Sequence, residues 1–347
     1  MVTVLNLPPS VTAIGDSISE GGVAIVRATF TDPGVNDTHT AAILWGDGSP
    51  GQVVTVAALA AGVAHVYGDN GSYSVTVTVT DDDGGMGADA VVVLVGNVAP
   101  EASFDATGAV AFPGGEFMVV QAGSALLAAG EGTDAGSDDL TFVWSIGDEN
   151  VYYNNGTDAD PFPSPFGTFP FDASDSIDAA YANPGVQVLT VTVADDDGGS
   201  DNTGGNVIVT GTAENAEGSG WWRHQYSGDG SAHISVTTAA GYLAIVNAVS
   251  SVFSEAVPAA VEDDVVAILS PHAGDRRARA RAELMVSWLQ FASGAVSWDA
   301  MVPLAGGGTV NFLDLMFQAE ATILDATATD SELLVVEQLL LRVRHAT

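Results

Sequence analysis

The chain has 347 residues, 47% of them hydrophobic, and no cysteine, so it can form two or three packed domains without disulfides or thiolate metal sites. It carries 44 acidic residues against eight arginines and no lysine, a formal net charge of −36. Such a field repels nucleic-acid phosphates and anionic membrane surfaces and attracts cations, so we expect no nucleic-acid partner. No apolar run approaches the roughly 18 residues that span a bilayer, so we expect no membrane-spanning segment.

Residues 7–97 alternate short Val- and Thr-rich runs with turns rich in Gly, Asp and Pro. The predicted strands are Val23–Phe30, Thr40–Leu44, Val53–Ala58, Ala64–Tyr67, Tyr73–Thr80 and Ala90–Val95. Short alternating strands at this spacing predict an all-β sandwich, which we call module one.

Residues 98–212 repeat the plan and form module two. The run GSYSVTVTVTDDDGG at 71–85 recurs as VQVLTVTVADDDGG at 186–199, and Trp144 and Tyr181 match Trp45 and Tyr67. Module two carries a longer loop at 152–170, where Pro excludes a central strand. Five aromatic residues of this loop are either a contact surface or a cover over their own sandwich: Tyr152, Tyr153, Phe162, Phe166 and Phe169.

After a polar linker at 213–220, residues 221–347 change to helical periodicity. The predicted helices are Thr237–Val257, Glu262–Leu269, Asp275–Val296, Asn311–Leu324 and Ser331–His345, the last capped by Ser331. Short connections between amphipathic helices favour a small bundle. Thirty of the acids but only Arg27 among the arginines precede residue 221, which supports a boundary there.

One set of residues in module one resembles the polycystic kidney disease (PKD) domain: Trp45, Gly46-Asp47-Gly48, His65, Tyr67, Gly71, Tyr73 and Asp81. Module two is a divergent copy, with Ala179, Gln187 and Glu149 in place of the His, the second Tyr and the last Gly. The resemblance implies two all-β immunoglobulin-like sandwiches, here followed by an all-α bundle. It also implies an extracellular or cell-surface location, because the family is common in secreted and surface bacterial proteins.

The resemblance also implies calcium. In calcium-binding PKD-like domains the ion lies where the loop after an early strand meets the Asp that ends the long strand. Carried onto this chain, these positions are Asp32, Asp37 and Asp81 in module one, and Asp134, Asp138 and Asp195 in module two. Both loops depart from the usual Asp-x-Asp-Gly. The alternative is that Asp81 and Asp195 only cap their turns.

No catalytic constellation stands out. The six histidines lack metal-ligand spacing, and nucleophile-elbow, P-loop and dinucleotide motifs are missing. We therefore expect no enzymatic activity. The basic cluster of Arg276, Arg277 and Arg281 is either a solvated helix face or a site that docks the acidic sandwiches.

Residues 1–6 resemble the last strand of module one and its linker, so we interpret them as a remnant of a preceding repeat. Such a strand is disordered or pairs with a sheet edge, as in strand addition. We expect a structural or adhesive role, with self-association, another surface protein or a glycan as partner and calcium as a stiffening ion. The alternative is a carbohydrate- or protein-binding appendage of a secreted hydrolase.

Overall fold

The computed structural model describes residues 5–105, 108–147, 150–153, 161–165, 167–228, 232–253 and 262–346. Module one contains β1 Ser10–Ile14, β2 Ser17–Ser19, β3 Val23–Thr31, β4 His39–Leu44, β5 Gln52–Thr55, α1 Val56–Ala61, β6 Val63–Val66, β7 Gly71–Asp81 and β8 Met86–Gly96. A three-stranded sheet of order β1-β3-β6 faces a five-stranded sheet of order β2-β8-β7-β4-β5.

Alternation along the strands of module one puts small and β-branched side chains between the sheets. Val75, Val77 and Val79 of β7 are fully buried, and Trp45 fills the centre of the core. His65 stacks on Trp45 with ring centroids 4.4 Å apart. The predicted strand Val53–Ala58 is wrong in its second half. Thr55 caps a helix there, because its side chain accepts a hydrogen bond from the Ala58 N–H.

Module two contains β9 Glu101–Asp105, β10 Val110–Phe112, β11 Gly115–Gln121, β12 Ala125–Asp134, β13 Thr141–Ile146, β14 Asn150–Tyr153, β15 Phe171–Ala180, β16 Gly185–Ala194 and β17 Ser200–Thr210. Its sheets have the orders β15-β12-β9 and β10-β11-β17-β16-β13-β14. With β10 set aside, each strand takes the place of its counterpart in module one, including the parallel pair of β11 with β17 that matches β2 with β8.

The remainder of the chain is mainly helical. It contains α2 Ser219–Gln225, α3 Val236–Val249, α4 Glu262–Ile268, α5 Arg276–Ala292, a hairpin of β18 Met301–Pro303 and β19 Thr309–Asn311, α6 Phe312–Leu324 and α7 Asp330–Leu340. The prediction of two β-sandwiches followed by helices is therefore confirmed. The predicted cap Ser331 is wrong, because Thr329 and Glu332 form a reciprocal capping box, which places the cap two residues earlier and the start of α7 at Asp330.

The helices do not pack as a separate body. Phe112 and Phe117 of module two belong to the same buried cluster as Trp288 and Phe291 of α5. The Phe112 ring lies 5.3 Å from that of Phe291. Backbone bonds of 2.8 Å also join Gly114 N–H to the carbonyl of Val249, and Gly211 N–H to that of Ala292. The extra strand β10 thus ties the helices to the sandwich.

Among the described residues, no helix is both long and apolar enough to cross a membrane.

Candidate functional site

The three acids predicted in module one do come together. Asp32 follows the end of β3, and Asp81 ends β7 directly opposite His39 in the β4–β7 pairing. Carboxylate oxygens of Asp32, Asp37 and Asp81 lie within 4.8 Å of one another. We call this set the module-one cluster.

Most of the oxygens in the module-one cluster are already used by the protein. The Asp32 carboxylate accepts a bond from Gly34 N–H (2.7 Å) and lies 2.9 Å from His39 Nε2. Asp81 accepts from the N–H groups of Asp83 and Gly85 and from the Asn6 amide (2.9 Å). The bond from His39 lowers the pKa of Asp32, and the bond from Asn6 lowers that of Asp81. These bonds favour the turn-capping interpretation of Asp81.

The acids predicted in module two are arranged differently. Asp195 accepts from Asp197 N–H, from Gly199 N–H (2.6 Å) and from the Asn97 amide (3.0 Å), so it repeats the role of Asp81. It belongs to neither of the acidic groups that the described residues form in this region.

Asp134 and Asp138 instead meet acids of module one. Oxygens of Glu20, Asp134 and Asp138 lie within 4.8 Å of one another, and so do those of Asp69, Asp138 and Asp197. We call these five residues the joint cluster. Glu20 follows β2, and Asp69 lies in the turn between β6 and β7. Both turns are therefore at the end of module one that faces module two.

The backbone brings the two modules close at this point. A Cβ placed on Gly21, whose φ is +67°, would lie 2.4 Å from the Ala135 carbonyl oxygen. One placed on Gly136 would lie 2.8 Å from the Glu20 carboxyl carbon. At Gly21, where the near atom is a backbone oxygen and φ is positive, only glycine allows this approach, so the sequence of this turn fits the contact between the modules.

Glu20 is also bonded to the connection between the modules. Residues 97–100 join β8 to β9, and the Val98 N–H donates to Glu20 Oε1. The Glu20 N–H donates to the Gly96 carbonyl (3.0 Å). The side chain is therefore anchored through one oxygen, and its second oxygen, Oε2, faces Gly136 of module two.

Three oxygens of the joint cluster are buried without a hydrogen-bond partner among the described residues. They are Glu20 Oε2, Asp134 Oδ2 and Asp138 Oδ2. The three residues are 3%, 0% and 4% exposed. An unpaired buried carboxylate oxygen is costly, so this arrangement calls for a compensating positive charge or proton.

The pKa values reflect the same imbalance. Burial, followed by repulsion from Asp134, Asp69 and Asp195, raises the pKa of Glu20 to about 7. Burial, followed by repulsion from Glu20 and other acids, raises the pKa of Asp138 to about 8. Burial also raises the pKa of Asp134. The charged neighbours that shift these groups are all carboxylates.

The aromatic loop of module two is described only in part. Phe162 packs on its own sandwich, edge to face with Phe142 at 5.5 Å. The Phe169 ring lies against module one, where a Cβ on Gly68 would approach it to 2.2 Å. The side chains of Tyr152 and Tyr153, and the whole of Phe166, lie outside the described residues. The described part thus covers its own core and also touches module one.

The arginine cluster makes its described contacts within the helical part of the chain. Arg276 and Arg279 pair with Glu337 of α7, the first at 2.9 Å. Arg277 donates to the Ile323 carbonyl, and the Arg281 guanidinium lies 6.0 Å from the Phe253 ring centroid. These contacts give the cluster a packing role.

The sequence did not point to Glu20 and Asp69 as site residues. Both lie in turns, where acids are common. The structure identifies the counterpart of Glu20 in module two: in module one Gly21 N–H donates to the Tyr67 carbonyl, and in module two Gly123 N–H donates to the Tyr181 carbonyl, both at 2.8 Å. Ala122 is therefore the counterpart of Glu20, so an acid occurs at this turn only in the sandwich that another sandwich follows.

None of the curated proteins compared with this sequence matches it. Among solved structures, the PKD domain of an M14-like peptidase from a Thermoplasmatales archaeon is 22% identical, over 26% of this chain and 99% of that one, with a TM-score of 0.22. Three domains of the outer capsid protein Hoc of bacteriophage RB49 are 15% identical over 58% and 59% (TM-score 0.24). The Yersinia pseudotuberculosis adhesin InvE is 11% identical over 58% of each chain (TM-score 0.27). At the level of protein families, residues 6–95, the first sandwich, match the model of the PKD domain.

Proposed function

We propose that this chain is a non-catalytic structural or adhesive segment of an extracellular or cell-surface protein. In it, two PKD-like sandwiches in tandem form a spacer that carries the helical part at a fixed distance and angle. The match of residues 6–95 to the PKD domain supports this class of protein.

The observation that carries the proposal is the short, bonded connection between the sandwiches. Only residues 97–100 lie between β8 and β9. The Asn97 amide donates to Asp195 of module two, and Val98 N–H donates to Glu20 of module one. A connection held from both sides restricts the hinge motion that a flexible linker would permit.

Small-angle scattering of the full chain tests the spacer. We expect a single elongated particle, and a variant with Gly-Gly-Ser inserted after Ala99 should scatter as a flexible pair of bodies. An equal insertion after Gly306, in the exposed turn between β18 and β19, is the matched control and should leave the scattering unchanged. Wild-type scattering that already requires a flexible ensemble would overturn the proposal.

Self-association by strand addition is a second part of the proposal. Strand β5 lies at an edge of its sheet, and its Val53 is 78% exposed, as expected of an edge that can accept a further strand. Residues 1–4 of the donor segment lie outside the described residues. We expect concentration-dependent filaments by electron microscopy that are lost on deleting residues 1–6. A chain that sediments as a monomer at every concentration would exclude this part.

One observation favours the appendage alternative. Module two has an open cleft of about 650 Å³ that places Phe104 and Phe162 beside Asp105, Glu131 and Asp175. An aromatic face next to carboxylates suits a sugar, which stacks on the ring and donates hydrogen bonds from its hydroxyl groups to the carboxylate oxygens. Specific binding on a glycan array that disappears with Phe104→Ala would favour the appendage. An array with no binding would favour the spacer.

A further inference from the structure

The acidic groups of the two modules differ in how their oxygens are used. In the module-one cluster, backbone N–H groups, His39 and Asn6 occupy oxygens of Asp32 and Asp81. In the joint cluster, one oxygen each of Glu20, Asp134 and Asp138 is buried with no protein donor among the described residues. The joint cluster therefore offers free ligand atoms at a buried position.

The three carboxylates converge. Each of Glu20, Asp134 and Asp138 places one oxygen within 4.8 Å of an oxygen of the others, close enough to contact one ion at ordinary oxygen-ligand distances. The other oxygens of Glu20 and Asp134 accept from Val98 N–H and from Gly136 N–H (2.6 Å), which fixes both side chains in place. A preorganised set of this kind loses little freedom when an ion binds.

The donor set specifies the class of ion. It contains carboxylates and no sulfur or imidazole, which suits hard cations. Calcium accepts six to eight oxygens in variable geometry, whereas magnesium needs a near-ideal octahedron and keeps several waters. Asp69 and Asp197, both exposed, come equally close to Asp138 and add negative charge at the rim, which attracts a cation from solution.

We propose that a calcium ion binds between the two sandwiches, with Glu20 of module one as a ligand beside Asp134 and Asp138 of module two. The ion then links the modules, since its ligands come from both. This inference rests on the proposed spacer function and deepens it, because the ion supplies the means by which the angle between the sandwiches is fixed.

The internal comparison supports a role at this joint in particular. The counterpart of Glu20 in module two is Ala122, and the end of module two next to Ala122 packs on helices through the bonds of Gly211 and Ala213 to Ala292 and Ser293. The acid is present where a second acidic module follows, and a methyl group is present where helices follow. A solvation role alone gives no reason for this difference.

Calcium titration of the full chain, stripped with chelator and followed by calorimetry, tests the inference. Wild type should bind calcium more tightly than magnesium. Glu20→Gln removes the charge and keeps an oxygen for Val98 N–H, and it should weaken one site at least about tenfold, because charged ligands set the affinity of such sites. Glu101→Gln, an exposed acid at the start of β9, is the matched control and should bind as wild type.

Asp138→Asn provides an independent variant from the other side of the joint and should weaken the same site. Circular dichroism checks that each variant is folded. Absence of calcium binding by wild type overturns the inference, and so does unchanged affinity of Glu20→Gln, which would place the ion within module two or in the module-one cluster. Asp32→Asn identifies the latter case.

The two proposals fail separately. If no calcium binds but scattering still shows one rigid particle, the ion link is wrong and the spacer stands. If calcium binding depends on Glu20 but the scattering requires a flexible ensemble with the ion present, the spacer is wrong.

Discussion

Replacing Phe112 by alanine should destabilise module two and the helices together. Phe112 is 4% exposed and contacts three aromatic rings, those of Phe117, Trp288 and Phe291, with centroids 5.3 to 6.2 Å away. Replacing a buried Phe by Ala lowers the free energy of unfolding by about 3–5 kcal/mol, and because three ring pairs are lost here we expect about 4 kcal/mol. For a folding unit of this size, 1 kcal/mol lowers the Tm by about 2–4 °C, so we expect a fall of about 8–16 °C.

Differential scanning calorimetry of the full chain gives the required resolution. We expect two transitions in wild type, one for module one and one for module two with the helices. Phe112→Ala should lower only the second, and without splitting it. Val77→Ala, in the core of module one, should lower only the first. Phe317→Ala, on a side chain that is 43% exposed, controls for loss of an aromatic residue outside the core and should change little.

A separate helical transition that keeps its wild-type Tm in Phe112→Ala would refute this reasoning. It would mean that the aromatic contacts across β10 and α5 add no stability to the helices, and that the shared core is two cores in contact.

Three further predictions follow from buried polar groups. Asp81→Ala removes the acceptor of bonds from Gly85 N–H (2.7 Å) and Asp83 N–H (3.0 Å), and it should lower the free energy of unfolding of module one by about 2–3 kcal/mol. Urea melts followed by Trp fluorescence measure this loss. The control Asp83→Ala, at an exposed position, should cost under about 0.5 kcal/mol. Glu320→Ala removes the carboxylate that accepts from Trp288 Nε1–H (2.8 Å) and Ser251 N–H (2.8 Å) inside the helical core. It should lower the free energy of unfolding by about 2–4 kcal/mol. An unchanged Tm would show that water replaces the carboxylate as acceptor. In chelator, docking of the two modules should weaken as pH rises from 5 to 8. In the folded chain burial, followed by repulsion from Asp134, Asp69 and Asp195, raises the pKa of Glu20 from 4.5 to about 7, and Asp138 and the neutral Tyr73 also face it. Asp134, Asp138 and Asp195 belong to module two, so separation of the modules removes their repulsion and the docked state binds more protons. At 1.36 kcal/mol per pH unit the whole shift of Glu20 corresponds to about 3 kcal/mol, which is the upper bound on its contribution to docking. A scattering profile that is the same at pH 5 and pH 8 without calcium would contradict the prediction.

The sandwich fold was predictable because its signals are local. Alternation in the runs that became β3, β7 and β16 fixes which faces are buried, and the Trp45 and Trp144 repeat fixes the equivalence of the modules. The module-one cluster was predictable from the PKD resemblance, and in the structure His39, which lies opposite Asp81 in the β4–β7 pairing, links it to Asp32. The predicted strand Val53–Ala58 is wrong after Thr55, because the Thr55 side chain caps a helix that begins at Val56.

Only part of the joint cluster could be predicted from the sequence. Asp134 and Asp138 follow from the comparison with module one, but Glu20 and Asp69 meet them only through the orientation of two separate sandwiches. That orientation depends on contacts such as Gly21 with Ala135 and Phe169 with Gly68, which no periodicity encodes. The packing of Phe112 against the helices could not be predicted either, because Phe112 lies on β10, a strand without a counterpart in module one.

The difference between Glu20 and Ala122 makes the order of the two sandwiches chemically distinct. With β10 set aside, their strand plans are the same, so the plan by itself does not fix which sandwich precedes the other. If module two were placed before module one, however, a methyl group would face Asp32 and Asp37, and the acid of Glu20 would face the apolar helices. The residue that follows β2 or β11 therefore differs with the neighbour against which each sandwich packs.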